Sequence, residues 1–311
     1  MTTAFIFPGQ GSQAVGMGKN LADSFATARA VFEEVDAALS QKLSTLMWEG
    51  PTEELTLTAN AQPALMAVSL AVLRVLEAEA GLDLKRDAAF VAGHSLGEYS
   101  ALAAAGTFGI ADAARLLRIR GDAMQKAVPA GQGAMAALLG ADLDLACAIA
   151  ADAAQGEVCE AANDNGGGQV VLSGAKAAID RAIVLAGERG VRRSMLLPVS
   201  APFHCSLMQP AAEAMRAALA NVAMRPPVVP VMANVGAAPL SDVEAIRASL
   251  VAQVTGTVRW RECVEAMAAA GVDRFVELGS GKVLAGLVKR IAPGATPLSV
   301  GTADDVSAYK P

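Results

Sequence analysis

The chain alternates between short apolar runs and longer stretches whose apolar residues recur at helical spacing. The apolar runs predict buried strands, and the amphipathic stretches predict helices that pack on them. The predicted strands are residues 3–7, 88–92, 134–139, 169–172, 193–198, 228–233 and 274–278. The predicted helices are residues 23–39, 62–79, 96–105, 112–126, 141–154, 175–189, 205–220 and 241–253, with a last helix that ends at Ile291. This alternation indicates the α/β fold class.

The order of elements changes in the middle of the chain. Between about Gly131 and Val199, three apolar runs alternate with two helical patterns, and a glycine-rich connection lies among them. This order predicts a small α+β subdomain at residues 130–199. The subdomain is inserted into a large α/β subdomain formed by residues 1–129 and 200–311.

The sequence also predicts the local structure of three segments. Pro63 is expected in the first turn of the helix 62–79, where its missing N–H costs nothing. Residues 51–60 predict a polar connection before that helix. Residues 302–311 predict a loose tail.

The junction between the strand 88–92 and the helix 96–105 carries the pattern Gly-x-Ser-x-Gly around Ser95. A strand-to-helix turn this tight needs small residues beside the serine, because a larger side chain clashes with the neighbouring backbone. The turn presents the Ser95 hydroxyl at a helix N-terminus, where unpaired N–H groups stabilise developing negative charge. The pattern predicts a nucleophile elbow, and a purely structural turn is the alternative.

Composition narrows the possible function classes. The 25 Lys and Arg residues against 31 Asp and Glu residues give a net charge of −6, so no general basic field favours nucleic acid. The longest apolar stretch, residues 63–73, is shorter than the ~20 residues that a membrane span needs. No signal peptide is expected before Phe5. The four scattered cysteines form no Cys-x-x-Cys pair, which favours reduced thiols in a cytoplasmic protein.

Two glycine-rich segments imitate nucleotide-binding loops. Residues 9–14 follow the first strand as Gly-x-Gly-x-x-Ala, but the acidic residues at the required distance fall inside a helical pattern. Residues 279–282 imitate a phosphate loop, but Val276 replaces its first glycine and Val283 replaces its magnesium-binding hydroxyl. Nucleotide binding is therefore not predicted, and Gln10 is interpreted as a polar donor in a turn.

A serine hydroxyl is a poor nucleophile until a base removes its proton, and the side chain with the suitable pKa is histidine. The chain has only two histidines, His94 and His204. The ring of His94 is expected to point away from the adjacent Ser95 hydroxyl, which favours a packing role. By elimination, His204 in a loop after residue 200 is the candidate base.

Arg120 interrupts the apolar face of the predicted helix 112–126. Two interpretations remain open at this stage. Arg120 is either a surface arginine whose stem lies along apolar neighbours, or a buried guanidinium that needs an anion from the protein or from a ligand.

Several motifs occur together and in one order along the chain. Their combination resembles the malonyl-CoA:acyl carrier protein transacylase family of bacterial fatty acid synthesis over roughly residues 3–291. The motifs are Phe-Pro-Gly-Gln-Gly-Ser-Gln at 7–13, Gln-Pro-Ala-Leu at 62–65, Gly-His-Ser-Leu-Gly-Glu-Tyr at 93–99, Arg-Gly at 120–121, Ala-Pro-Phe-His-Cys at 201–205 and Gly-Ser-Gly-Lys at 279–282. The resemblance implies an α/β-hydrolase-like large subdomain and a ferredoxin-like small subdomain, with the active site between them.

The resemblance also implies ping-pong transfer of a malonyl group from malonyl-CoA through Ser95 to the phosphopantetheine thiol of acyl carrier protein. No metal and no other cofactor are implied, and a cytoplasmic monomer is expected. The implied site residues are Ser95 as nucleophile, His204 as base, the N–H groups of Gln10 and Leu96 as oxyanion hole, Arg120 on the malonyl carboxylate and the carbonyl of Gln253 on His204. Asn163 is expected to face the cleft, and Phe203 is expected to exclude an α-methyl group. The resemblance differs at Ser280, where many relatives have proline.

Three other functions remain open from the sequence. A discrete acyltransferase of a polyketide synthase has the same chemistry. A serine esterase or thioesterase is less favoured, because no His-Gly-Gly-Gly-type oxyanion loop is present. A non-catalytic scaffold for carrier protein is disfavoured by the intact Ser95 and His204. For an acidic carrier protein, the candidate docking charges are Arg189, Arg192, Arg193, Lys282, Lys289 and Arg290.

Overall fold

A six-stranded sheet forms the centre of the computed structural model, which describes residues 1–310. Its strand order is β10-β9-β1-β2-β7-β8, and all neighbours are parallel except the antiparallel pair β7 and β8. Every residue of the central strand β1 is buried, as expected for a parallel strand covered on both faces. The strands are β1 (Thr3–Phe7), β2 (Phe90–Gly93), β7 (Val231–Ala233), β8 (Ala238–Leu240), β9 (Arg274–Leu278) and β10 (Thr296–Val300).

A second sheet of four antiparallel strands lies between β2 and β7 in the sequence. Its order is β4-β5-β3-β6. Part of its buried apolar residues form a separate core cluster with the two neighbouring helices, whereas Met135, Ala137, Ala162 and Val171 belong to the main cluster. The strands are β3 (Gly133–Leu139), β4 (Cys159–Asp164), β5 (Gln169–Ala175) and β6 (Arg193–Leu196). With two helices between strands, the order β-α-β-β-α-β is that of a ferredoxin-like unit. The predicted α/β class with a ferredoxin-like α+β unit is confirmed.

Fifteen α-helices in the described residues surround the two sheets, and a short 3-10 turn lies at Ser206–Met208. In the first part of the chain they are α1 (Lys19–Ser24), α2 (Ala26–Leu39), α3 (Leu43–Glu49), α4 (Thr52–Thr56), α5 (Thr58–Ala80), α6 (Leu84–Asp87), α7 (Gly97–Ala104) and α8 (Ile110–Lys126). The others are α9 (Leu143–Ala154), α10 (Lys176–Glu188), α11 (Gln209–Ala220), α12 (Val243–Gln253), α13 (Trp260–Ala269), α14 (Val283–Ile291) and α15 (Ala303–Ala308).

The helix α5 begins earlier than the sequence predicts. It starts at Thr58, so Pro63 lies inside the helix rather than in its first turn. Without an N–H, Pro63 leaves the carbonyl four residues before it without its helical donor. The expected polar connection before this helix contains the short helix α4 instead.

Residues 302–310 are also ordered, contrary to the predicted loose tail, and Pro311 lies outside the described residues. Thr302 and Asp305 form a reciprocal capping box that begins α15. Tyr309 is 9% exposed, and the guanidinium of Arg274 lies 5.3 Å from the centre of its ring. These contacts anchor the segment to β9.

The most apolar helix lies in the core. An 18-residue window of α5 has a mean hydropathy of 1.4, which by length and composition is enough to cross a membrane. Within the fold, 89% of that window is buried. The helix packs against α2 and α8, which explains its apolar character on all sides.

Candidate active site

The turn between β2 and α7 holds Ser95 in a left-handed backbone conformation, with φ of 53°. Both flanking glycines are sterically required. A Cβ on Gly93 lies 1.9 Å from the carbonyl oxygen of Gly97, and a Cβ on Gly97 lies 2.2 Å from that of Phe7. The Gly-x-Ser-x-Gly pattern therefore has a steric cause. The turn places the Ser95 side chain at the cavity described below.

Ser95 and His204 form a hydrogen-bonded pair that continues to a main-chain carbonyl. The Ser95 Oγ lies 2.7 Å from the Nε2 of His204, and the Nδ1 of His204 lies 2.9 Å from the carbonyl oxygen of Gln253. Because a carbonyl oxygen only accepts, the imidazole proton lies on Nδ1 and Nε2 is free to accept the serine proton. Gln253 is the last residue of α12, where helix carbonyls lack helical donors.

The environment of His204 keeps its ring neutral. The residue is 4% exposed, and burial together with the charge of Arg120 lowers its pKa from 6.5 to about 3. A neutral imidazole is the form that accepts a proton from serine. The other histidine, His94, directs its Nε2 at the Oδ1 of Asn165, 2.8 Å away, and its pKa is lowered by burial.

Arg120 is fully inside the protein, with an exposure of 1%, so the alternative of a surface arginine is wrong. It donates to the Oε1 of Gln62 at 2.7 Å, to the Oε1 of Gln253 at 2.9 Å and to the Oγ of Ser95 at 3.1 Å. Within residues 1–310, no carboxylate lies in ion-pair contact with it, and its Nε has no hydrogen-bond partner. A buried guanidinium held only by neutral groups is well suited to receive an anion.

Two main-chain N–H groups, on residues that line the same cavity as Ser95, have no hydrogen-bond acceptor in the described structure. They belong to Gln10, in the loop after β1, and to Leu96, at the start of α7. The N–H of Ser95 itself is occupied, because it donates to the Oδ1 of Asn234 at 2.8 Å. The side chain of Gln10 is tied down by Thr58, whose hydroxyl donates to it at 2.9 Å.

These residues line a cavity of about 440 Å³ between the two sheets. Gln10, Ser95, Leu96, Arg120 and His204 line it from the side of the six-stranded sheet. The smaller sheet contributes Asn163 of β4 and Met135 of β3, and Phe203 forms part of the wall beside His204. All the sequence-predicted site residues therefore meet at this cavity, with Gln253 directly behind His204.

Sequence reasoning assigned no role to three buried polar residues, of which two lie behind the site and one, Gln62, lines the cavity. Glu98 and Asn234 are 2% and 0% exposed, and Gln62 is 1% exposed. The main-chain N–H of Asn234 donates to Glu98 at 3.0 Å, and its side-chain amide donates to the carbonyl of Gly93 at 2.7 Å. The available signals were a glutamate one residue after the elbow and an asparagine directly after the apolar run 228–233.

Comparisons with known proteins identify the family of this chain. Residues 4–300 match the acyl transferase domain family, and the chain belongs to that family; it is an acyltransferase. It is 46% identical to the malonyl CoA-acyl carrier protein transacylase of Escherichia coli K12 over 293 residues, and these residues make up 94% of each chain. The corresponding transacylase of Bacillus subtilis is 45% identical over 289 residues, which cover 93% of this chain and 90% of that protein.

Solved structures give the same result. The crystal structure of an acyl-carrier-protein S-malonyltransferase from Bartonella henselae superposes with a TM-score of 0.97 at 57% identity, over 99% of this chain and 98% of that one. A malonyl-transacylase solved in complex with a type II polyketide synthase acyl-carrier protein has a TM-score of 0.95 at 40% identity, over 99% and 98% of the two chains.

Proposed function

We propose that this chain transfers a malonyl group from malonyl-CoA to the phosphopantetheine thiol of acyl carrier protein through a Ser95 acyl-enzyme. The observation that carries the proposal is the position of Arg120, whose Nη2 lies 3.1 Å from the Ser95 Oγ. A malonyl thioester has a free carboxylate two bonds from its reacting carbonyl. A buried cation directly beside the nucleophile matches that carboxylate and gives a neutral acyl group no equivalent contact.

In the first half-reaction, the Nε2 of His204 takes the Ser95 proton while Oγ attacks the thioester carbonyl. The N–H groups of Gln10 and Leu96 donate to the oxyanion of the tetrahedral intermediate. The intermediate collapses by breaking the C–S bond, and the proton on His204 passes to the leaving sulfur of CoA. The Gln253 carbonyl holds the ring in one tautomer throughout.

In the second half-reaction, the carrier-protein thiol gives its proton to His204 and attacks the malonyl ester. Collapse of the second intermediate breaks the bond to Ser95 Oγ, which recovers the proton from His204. The malonyl group remains bound to Arg120 during the exchange of thiols, which explains why one site serves both partners. Phe203 beside His204 leaves little room for an α-methyl group, so malonyl is preferred to methylmalonyl.

The proposal extends to the division into subdomains, the oligomeric state and the cofactor requirement. The chain has a large subdomain at residues 1–129 and 200–311 and a small one at residues 130–199, and the separate core cluster of the small sheet supports this division. The enzyme acts as a cytoplasmic monomer without metal or other cofactor.

A discrete acyltransferase of a polyketide synthase is the alternative with the same chemistry. One structural relative is solved in complex with a type II polyketide synthase acyl-carrier protein. The curated relatives at 44–46% identity are transacylases for which no polyketide partner is named. Fatty acid synthesis is therefore the pathway proposed here, and an esterase or thioesterase is not favoured.

The test is an intact-mass measurement after mixing with malonyl-CoA. A malonyl adduct is expected on the wild-type protein and not on Ser95→Ala, and added carrier protein should remove it. Release of CoA without adduct or acceptor would instead indicate a hydrolase. Malonylation of Ser95→Ala at another residue would overturn the assignment of the nucleophile.

A further inference from the structure

The active site contains a second buried charge besides Arg120. Glu98, in the first turn of α7, is 2% exposed and makes no ion pair within the described part of the chain. Its Oε2 accepts from the Nε2 of Gln253 at 2.8 Å and from the main-chain N–H of Asn234 at 3.0 Å. The Oε1 of the same Gln253 accepts from Arg120 at 2.9 Å. One amide thus separates the guanidinium from the carboxylate.

This amide has only one orientation that satisfies both neighbours. A guanidinium only donates and a carboxylate only accepts, so Oε1 of Gln253 must face Arg120 and Nε2 must face Glu98. The amide therefore accepts from the cation and donates to the anion, which couples the two charges electrostatically. When Glu98 is ionised, it and Arg120 bring one negative and one positive charge into a region from which water is excluded, which leaves the empty site neutral.

The other titratable groups that face Glu98 do not change charge near neutral pH. Arg120 of α8 stays protonated. Burial raises the pKa values of Tyr99 on α7 and of Cys263 on α13 well above their ordinary ranges. His204, on the far side of Gln253, has its pKa lowered to about 3. Burial raises the pKa of Glu98 from 4.5 to about 7, against the opposing effects of its two donors and Arg120.

We propose that Glu98 is the counter-ion of Arg120 in the empty site and takes up one proton when a substrate carboxylate binds to Arg120. This inference rests on the proposed function. The incoming carboxylate would make the buried group of three net negative, and a proton from solvent restores neutrality. With that proton on Oε1, the Oε2 of Glu98 still accepts from Asn234 and Gln253, so the network keeps its geometry.

Glu98 acts through Gln253 and does not touch the acyl group, so it is a positioning residue that also contributes to specificity. An acetyl group brings no charge and leaves Glu98 ionised. A carboxylated acyl group replaces Glu98 as the counter-ion of Arg120, and Glu98 must then bind one proton. The preference for malonyl should therefore become weaker as the pH rises above the pKa of Glu98.

The test is calorimetric binding of malonyl-CoA to the Ser95→Ala protein in two buffers of different ionisation enthalpy, with acetyl-CoA as the ligand that lacks the carboxylate. At about pH 8, binding of malonyl-CoA should take up nearly one more proton per site than binding of acetyl-CoA does. Above pH 8, the Kd of malonyl-CoA should increase roughly tenfold per pH unit. In the double variant with Glu98→Gln, the extra uptake should disappear. The matched control is the double variant of Ser95→Ala with Glu277→Gln, which alters a different buried carboxyl group, on β9. In this control the extra proton uptake should remain.

Each result decides between the hypotheses. If malonyl-CoA binds without extra proton uptake, or if the uptake survives Glu98→Gln, the inference is wrong and the proposed function stands. If neither CoA ester binds, the proposed function fails. Should Glu98→Gln not fold, infrared difference spectra of the Ser95→Ala protein provide the decision. Malonyl-CoA, but not acetyl-CoA, should then produce the band of a buried protonated carboxyl group, and the absence of that band overturns the inference.

Discussion

Ser95 and His204, which lie 109 residues apart and whose Oγ and Nε2 atoms are 2.7 Å apart, both have left-handed backbone conformations, with φ of 53° and 59°. For residues with a Cβ this conformation costs about 1 kcal/mol or more. The surrounding hydrogen bonds oppose that cost. Ser95 is held through its N–H by Asn234, and His204 is held through its ring by Gln253. The pair is therefore strained locally and fixed by its neighbours.

The two histidines should differ strongly in their effect on catalysis. His204→Ala is expected to slow malonyl transfer to Ser95 by roughly 10²–10⁴-fold, because the positioned base is lost. His94→Ala should have a smaller effect, because its ring contacts Asn165 and not Ser95. Single-turnover acylation followed by mass spectrometry measures both rates. A greater loss in a folded His94→Ala protein would reverse the two roles.

Arg120→Ala should change acyl selectivity more than it changes acyl transfer in general. Charge-assisted hydrogen bonds contribute roughly 1.5–3 kcal/mol each, so loss of a bidentate contact should lower kcat/KM for malonyl-CoA by roughly 10²–10⁴-fold. Acetyl-CoA, which lacks the carboxylate, should be affected little. The measurement compares kcat/KM for both esters in both proteins. An equal decrease for the two substrates would mean that Arg120 is structural.

The steric requirement at the elbow leads to a prediction about stability. Gly97→Ala should lower the free energy of unfolding by roughly 1–3 kcal/mol or prevent folding, because its Cβ would lie 2.2 Å from the Phe7 carbonyl oxygen. The matched control is Gly286→Ala in the exposed face of α14, where no atom lies within 4 Å of the added Cβ. That change should stabilise the protein by roughly 0.5–1 kcal/mol. Urea denaturation measures both, and equal effects would contradict the prediction.

Glu277 should make the protein less stable as the pH rises. It accepts from the N–H groups of Leu284 and Ala285 at the start of α14, and burial raises its pKa from 4.5 to about 7. The folded state therefore keeps this proton to a higher pH than the unfolded state does. Between about pH 4.5 and 7, the residue should reduce the free energy of unfolding by roughly 2–4 kcal/mol. Glu277→Gln should lack this decrease, so parallel pH curves for the two proteins would contradict the prediction.

Arg192 and Arg193 are better candidates than Arg189 in the predicted docking surface for carrier protein. Both are exposed and form no ion pair within residues 1–310, whereas Arg189 pairs with Asp152. Reversal of both charges to Glu should raise the KM for carrier protein and leave acylation by malonyl-CoA unchanged. The effect should be greatest at low ionic strength, where electrostatic steering is strongest. An unchanged KM under those conditions would exclude this pair.

Several elements were not predictable because their sequences lack a clear pattern. The edge strand β4 is rich in alanine and acidic or amide residues, which rarely favour strands, and it exists because β5 supplies its hydrogen bonds. The last residues were predicted to be a loose tail, and a capping box such as theirs is worth little alone. That box becomes effective once β10 pairs with β9 and directs the chain back onto the fold.

By itself, the sequence determined the α/β class and the tight turn at Ser95, because local spacing and glycine positions carry that information. The scarcity of histidine left His204 as the candidate base, and the resemblance to the transacylase family supplied the roles of Gln10, Leu96, Arg120 and Gln253. The tertiary structure alone decided how those side chains are paired. It buried Arg120 without a carboxylate beside it, and it placed Glu98 on the other side of the Gln253 amide. The reason is physical: burial and the direction of a hydrogen bond depend on atoms from distant segments, and no local pattern encodes them.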